Sequence, residues 1–469
     1  MSSEVQPGAE PSAAGRSVSI ALAGSGGSGV MTAGSLLLAA AAEAGFYGLM
    51  VRTSGPQIRG GEAAALIRVA SEAIETLDDA FDALVAIDWG NVHRFADEIP
   101  LAPSGVMVGD PAEGEPPEVY RARGARYCPV SMKALAKGIA GAWPNMIALG
   151  LAGALIGLPR AALHAAAQKS LRKSQTLEAN LAAIDAGCAA ASDIGTAGQL
   201  GVPPARTGAR WLVSGNEAAG AGAIRGGVRF VAAYPITPAT EMLEWLAPAL
   251  ARVGGALLQA EDELASVNMI IGASYGGVPS LTATAGPGLA LMTEGIGLAV
   301  AAEVPIVVVD VMRGGPSTGI PAKSEQSDLS FAVDGLHGDA PRLVVAPTSI
   351  ADCLATTEWA VQLAETLAWL HENEIAHAGL SGGNVFVMGG AEDGDIVVDG
   401  TGGVGVVRIR AVGLGAAAVH GEAGPCVPVG QIGGGQPMDR FADDSDQSLV
   451  EELVVGGRFV FRPFALAIL

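Results

Sequence analysis

The chain is poor in aromatic rings: they make up 4% of its 469 residues, whereas apolar residues as a whole make up 50%. A large core can form, but from Ala, Val, Leu and Gly rather than from rings. Cysteine is scarce too. Cys128, Cys188, Cys353 and Cys426 are scattered with no CxxC pair, which excludes a self-contained iron–sulfur or zinc–thiolate site and gives no disulfide framework. A reducing cytoplasm is the simplest home for such a chain. Basic charge is short as well. Lys and Arg number 27 against 48 Asp and Glu, a net charge of −21, and no Lys/Arg run occurs. Phosphate backbones repel a surface of that sign, which argues against nucleic acid as a partner.

A leader and a membrane span are also missing. Met1–Gly15 is polar, with Pro and Glu and no basic n-region, so it does not read as a signal peptide. Ser17–Ala42 is uncharged and long enough to cross a bilayer, but its middle is Gly24-Ser25-Gly26-Gly27-Ser28-Gly29. That is loop chemistry inside a would-be helix, so the stretch reads as strand, loop, helix. A soluble protein is expected.

What is abundant is glycine, 66 residues with no G-X-Y period. Much of it lies just after short apolar runs. Val18–Leu22, Ala83–Ile87 and Gly105–Val108 alternate with helical stretches in a first unit, which suggests a parallel α/β sheet. Leu163–Ala191 is helical, and 192–210, rich in Gly, Ala, Pro and Thr, reads as a linker. A second unit repeats the logic with Phe230–Tyr234, Ala256–Gln259, Ser280–Thr284 and Ile306–Asp310. The expected fold is therefore two consecutive parallel-sheet α/β domains, at 17–191 and 211–365. A polar N-terminus (1–16) precedes them and an irregular segment (366–469) follows. Ligands of open parallel sheets bind at the carboxyl ends of strands, so the strand-end loops are where chemistry is to be sought.

In the first unit Gly24, Gly26 and Gly29 follow a strand and open a helix. The pattern suits a dinucleotide fingerprint, an anion or phosphate pocket, or a plain tight turn. The acidic residue expected after the second strand is absent, which disfavours NAD. Arg59, in the Gly-bounded string GPQIRGG, adds a cation for an anion pocket or a subunit contact. In the second unit Thr237 stands between Pro235 and Pro238, either aimed by a stiff loop or capping the next helix. Glu261, Asp262 and Glu263 start an apolar helix. They suit the positive end of its dipole, and a carboxylate held there could also polarise a heterocycle nitrogen. Arg313, in a further strand-end loop, is a fork donor suited to a carboxylate, or else to a surface salt bridge.

Taken in order, AGSGGSGVMTAG and GPQIRGG in the first unit are joined by GNEAAGAGA, YPITPATEM, QAEDELASVNMIIGAS, TATAGPGLALMTE, RGGPSTGIPAKSEQSDL and HGDAPRLVVAP in the second. Together these strings resemble the 2-oxoacid:ferredoxin oxidoreductases, specifically an α subunit with a γ domain fused at its N-terminus. The resemblance implies a thiamine-diphosphate enzyme that oxidatively decarboxylates a 2-oxoacid to an acyl-CoA and reduces ferredoxin. Glu263 then matches the glutamate that bonds the aminopyrimidine ring, with Glu261 the lesser candidate. Thr237 and Arg313 match the groups that contact the 2-oxoacid. Ile236, Gly286 and Gly288 fall in the strings that surround the cofactor. The metal- and diphosphate-binding signature and the cluster cysteines are not in this chain. In the family they lie on a β subunit, which would bring the Mg²⁺ and iron–sulfur cluster and complete the site. No metal ligand is assigned to this chain. Coenzyme A is the expected co-substrate, with the γ-like unit a reasonable place for it. A catalytically incompetent assembly subunit and a different thiamine enzyme are the alternatives.

After Glu365 the resemblance fades. The stretch 367–387 is faintly similar to a protein-kinase catalytic loop, but Gly379 stands where the catalytic aspartate belongs and only Asn384 and Asp399 echo metal ligands. A degenerate module or a fused tail is the expectation there.

Overall fold

The computed structural model describes residues 17–55, 61–172, 175–205, 208, 210–321, 323, 325–338, 342–372, 385–387, 395–400, 403–412, 416–421 and 465–468. It divides into two compact units, Met1–Leu212 and Val213–Leu469.

The first unit begins β1 (Ser17–Ser25), α1 (Val30–Glu43), β2 (Tyr47–Ser54), β3 (Glu62–Ala70), β4 (Phe81–Ala86), β5 (Leu101–Gly109), α2 (Glu118–Arg121) and β6 (Arg126–Pro129). It closes with α3 (Met132–Lys137), α4 (Pro144–Leu155), α5 (Arg160–Leu171) and α6 (Leu177–Ala191). The sheet order is β2-β3-β1-β4-β5-β6. Its β1, β4, β5 and β6 are parallel, and β3 runs antiparallel to both neighbours. The would-be membrane span is β1, a glycine loop and α1. Among the described residues no helix is long and apolar enough to cross a membrane.

Strand alternation builds a core on each face. Val18, Ile20 and Leu22 join the cluster under α1, α4, α5 and α6, while Ala21 and Ala23 face Phe81, Leu84, Phe95 and Tyr120. With so few rings, the helices close the gap by approaching directly. A Cβ on Gly150 of α4 would overlap the Ile184 carbonyl, and one on Gly187 of α6 the Ile147 carbonyl.

The second unit contains α7 (Gly215–Gly226), β7 (Phe230–Ala233), α8 (Thr240–Arg252), β8 (Ala256–Gln259), α9 (Glu263–Tyr275), β9 (Ser280–Thr284) and α10 (Gly286–Ala301). Then come β10 (Val307–Asp310), α11 (Ser327–Asp334), β11 (Arg342–Val345) and α12 (Ile350–Glu372). Val307 and Val309 enter the core with α7, α8 and α12, and Val308 enters the one with α9 and α10. Both faces are therefore covered, as a parallel sheet requires.

Beyond α12 lie β12 (Val385–Val387), β13 (Asp395–Gly400), β14 (Gly403–Val412), β15 (Ala416–Gly421) and β16 (Ala465–Ile468). The first four make an antiparallel sheet in sequence order. The last enters the second unit's sheet, whose order is β11-β16-β10-β9-β7-β8, and pairs parallel with β10 and β11. Only four apolar residues announce that strand in the sequence. Of the kinase-like stretch, 373–384, including Gly379 and Asn384, lies outside the described residues.

The glycine crossing of α4 and α6 gives a stability test. Gly187→Ala forces the two backbones apart and should cost roughly 1–3 kcal/mol, read as a lower melting temperature. An unchanged melting temperature would show that the helices do not meet there.

Candidate functional site

The carboxyl ends of β7, β8, β9 and β10 bring the second unit's motifs together. After β7, the Tyr234–Pro238 loop is held from two directions. Asn216, in the first turn of α7, donates from Nδ2 to the Pro238 carbonyl at 3.3 Å. Arg313, after β10, donates from Nη1 to the Thr237 carbonyl at 2.8 Å and from Nη2 to the Thr318 carbonyl at 2.6 Å. Thr237 itself is exposed. It does not cap the following helix: the cap position of α8 is Ala239, with no side-chain cap. Ile236 packs on the core beneath.

Arg313 is only 7% exposed, and its Nε has no partner among the described residues. Two of the five guanidinium N–H donors are spent on carbonyls, which leaves the cation uncompensated and able to take a carboxylate.

After β8 the three carboxylates part company. Asp262 caps α9, accepting from the Ala265 amide at 2.7 Å, and Glu261 is exposed. Glu263, the first residue of α9, is 6% exposed with no partner among the described residues. It lies against Gly288: a Cβ there would be 2.7 Å from Glu263 Cγ and would overlap Thr284 Oγ1. Gly286 is filled in the same way, by the Asp328 carboxylate. The two glycines of α10 therefore make room for protein acids.

Asp310, the last residue of β10, is a site residue that motif reading passes over. It is 1% exposed, and neither carboxyl oxygen meets a donor among the described residues. Burial, then the neighbouring Asp328, push it up from 3.8 to about 8. A lone Asp ending a Val-rich strand carries little signal, because its burial depends on a helix that comes later in the chain.

A cavity of about 600 Å³ opens beside these loops, lined by Ser214–Asn216, Val309–Met312, Glu325 and Cys353 among others. Burial, then Asp352, raise the Cys353 thiol to about 11, which makes it a poor nucleophile at neutral pH. The start of α7 is already satisfied by a capping box of Ser214 and Glu217.

In the first unit, Gly24, Gly26 and Gly29 lie in the β1–α1 turn. The Asp88 carboxylate accepts from the Ser25 amide at 2.8 Å and the Ser25 hydroxyl at 2.7 Å. A Cβ on Gly29 would overlap the Asn145 side chain. The turn is thus packed with protein side chains, one of them an acid. Arg59 lies outside the described residues. Among the described residues no group of three or more His, Cys, Asp or Glu is placed to hold a metal.

Comparison with known proteins places both units. Residues 221–370 match the family model "Pyruvate flavodoxin/ferredoxin oxidoreductase, thiamine diP-bdg", and residues 19–190 match "Pyruvate ferredoxin/flavodoxin oxidoreductase". The chain is 48% identical over 153 residues to the 2-oxoglutarate synthase subunit KorA of Archaeoglobus fulgidus, covering 33% of this chain and 44% of that one. It is 40% identical over 233 residues to the 2-oxoglutarate oxidoreductase subunit KorA of Mycobacterium tuberculosis, covering 47% and 35% respectively. The chain thus spans less than half the length of these relatives. Among solved structures, the 2-oxoglutarate:ferredoxin oxidoreductase of Magnetococcus marinus, with 2-oxoglutarate, coenzyme A and succinyl-CoA bound, superposes with a TM-score of 0.68. The identity is 38%, over 75% of this chain and 62% of that one.

The raised Asp310 carboxyl makes a signed prediction. An unfolded chain ionises Asp310 from about pH 4, whereas the folded chain keeps the proton until about pH 8. The residue therefore costs stability progressively across that window as pH rises. Asp310→Asn should melt several degrees above the unsubstituted chain at pH 8, with the gap closing toward pH 4. A gap independent of pH would contradict the buried acid.

Proposed function

We propose that this chain belongs with the α subunits of the 2-oxoacid:ferredoxin oxidoreductases, the two regions matched by family models being 19–190 and 221–370. On that premise it supplies the pyrimidine-binding half of a thiamine-diphosphate site, acting on a 2-oxoacid of the 2-oxoglutarate kind. Coenzyme A takes the acyl group and ferredoxin the electrons. The observation that carries the reading is Glu263, a buried carboxyl with no described partner at the start of an apolar helix.

The residues fit such a cofactor. In this reading Glu263 hydrogen-bonds a ring nitrogen, and its packing against Gly288 beside Thr284 supports that role. The chemistry the cofactor supplies is a nucleophilic carbon for the oxo group and a sink for the electrons left by decarboxylation. The chain's own part is to orient and to bind. Thr237 offers an exposed hydroxyl from a loop tethered at two consecutive carbonyls. Arg313 holds that loop and keeps unspent donors for a carboxylate. A dicarboxylic oxoacid suits a buried cation better than a neutral side chain would.

The missing half is assigned to a β subunit that brings the diphosphate and Mg²⁺ ligands and an iron–sulfur cluster. Exposed apolar side chains on the helices that carry Glu263 and Gly288 support such a partner: Leu264, Met269 and Tyr275 on α9, and Leu291 and Leu298 on α10.

The test is co-expression with a cognate β subunit, followed by 2-oxoglutarate-dependent viologen reduction with thiamine diphosphate, Mg²⁺ and coenzyme A. Activity is expected; an assembled but inactive complex would move the chain to the assembly-subunit reading. Glu263→Gln should abolish turnover while the complex still assembles, and retained activity would remove Glu263 from the site. Arg313→Lys should raise the oxoacid KM roughly tenfold or more, because one ammonium cannot replace a fork bonded to two carbonyls. An unchanged KM would separate Arg313 from the substrate.

A further inference from the structure

We propose that Asp310 and Asp328 form a clasp that shares one proton and sets the position of the Arg313 loop, so that ionising the pair loosens the oxoacid side of the site. The clasp rests on where the two acids lie; its consequence for substrate rests on the function proposed above.

Asp310 ends β10 and Asp328 is the second residue of α11, so the two acids stand at either end of the loop 311–326. Asp310 Oδ1, Asp310 Oδ2 and Asp328 Oδ2 are all buried without a donor from another described residue. Asp310 stands opposite Thr284 in the sheet, and the Asp328 carboxylate fills the space beside Gly286, two residues further on, so the two acids converge at the start of α10.

Among the described residues, no cation is seen to offset the Asp310 charge. Glu325 from the loop and Cys353 from α12 line the same cavity, and both are neutral or negative. β9 presents Thr284 opposite Asp310, α10 presents Gly286 against Asp328, and neither titrates. Glu217 of α7 is committed to its helix cap. The neighbouring strand β16 is Ala465-Leu466-Ala467-Ile468, with no charge. The Arg313 guanidinium is turned to the Thr237 and Thr318 carbonyls. Two full negative charges side by side in such a place repel strongly, whereas one carboxylic acid donating its O–H to one carboxylate is a charge-assisted hydrogen bond. The raised Asp310 agrees with the second arrangement.

The loop so clasped is the one that carries the site's cation. Its interior is braced by the Gly315 amide donating to Glu325 Oε2 at 2.8 Å, and by Arg313 bonding to Thr318. The outward connection is Arg313 to the Thr237 carbonyl. Loss of the shared proton to solvent leaves two carboxylates that push β10 and α11 apart at the loop's base. Arg313 and Thr237 then shift together. Asp310 and Asp328 are thus positioning residues that act through Arg313.

The experiment uses the full chain. The ionised fraction of a group titrating near pH 8 rises about tenfold between pH 7 and pH 9. Limited tryptic cleavage within 311–326, at Arg313 or Lys323, should accelerate about tenfold over that range after correction for trypsin's own pH dependence. In Asp310→Asn the amide donates to Asp328 at every pH, so cleavage should be slow and flat. Asp328→Asn should behave the same way and serves if the first variant folds poorly. Infrared difference spectra of the unsubstituted chain provide a readout that needs no variant: a carboxylic-acid C=O band present at pH 7 and lost near pH 8. Absence of that band at pH 7, or variants that keep the original cleavage profile, would overturn the clasp. In the assembled enzyme the oxoacid KM should rise with pH in the unsubstituted protein and stay flat in Asp310→Asn, with kcat little changed. A flat KM in both, with the cleavage and infrared results as expected, would overturn the link to substrate and leave the clasp itself standing.

Discussion

One guanidinium ties the second unit's strand-end loops together. Arg313 comes from the end of β10, yet its two Nη groups bond the carbonyl of Thr237 after β7 and that of Thr318 in its own loop. Each such bond from a charged donor is worth roughly 1.5–3 kcal/mol when made, and a buried cation without them would be far more costly. The Thr237 loop therefore cannot settle independently of the Arg313 loop. Asn216 adds a second hold on the same turn from α7. A site assembled from four strand ends is in this way kept to one arrangement, with two buried acids, Glu263 and Asp310, set around it.

Glycine has a less obvious part than its loop chemistry suggests. At Gly288 and Gly286 the space a Cβ would take is filled by Glu263, Thr284 and Asp328. At Gly150 and Gly187 it is filled by the backbone of the opposing helix. A chain with few rings has few large side chains to span gaps, so close backbone approach takes their place. The same device that packs the first unit's helices lets acids pack against the first turn of α10 in the second.

The α/β alternation was legible because apolar runs and glycine loops punctuate the chain at the right period. The strand–loop–helix reading of Ser17–Ala42 and the strands of the second unit follow from that alone. β3 and its antiparallel course were not legible, since pairing direction is decided by neighbours and not by the strand's own pattern. Nor was β16, whose four residues carry too short a signal for a strand that pairs with β10 and β11. Among the acids, three adjacent carboxylates in sequence become a cap (Asp262), an exposed side chain (Glu261) and a buried one (Glu263). The sequence does not separate these three fates, and the choice of Glu263 comes from the resemblance. Asp310 carries no motif of its own, and Asn216, though it lies in the GNEAAGAGA string, gives no sign there of what it bonds. Their surroundings come from elements that follow them in the chain, so only the folded protein shows them.

In the proposed function this chain holds one half of a cofactor site and a second subunit holds the other. Equilibrium binding of thiamine diphosphate with Mg²⁺ tests it directly, first to the chain alone and then to its complex with a cognate β subunit. The chain alone should retain no measurable cofactor, and the complex should retain it stoichiometrically. Tight, Mg²⁺-dependent binding by the chain alone would contradict it.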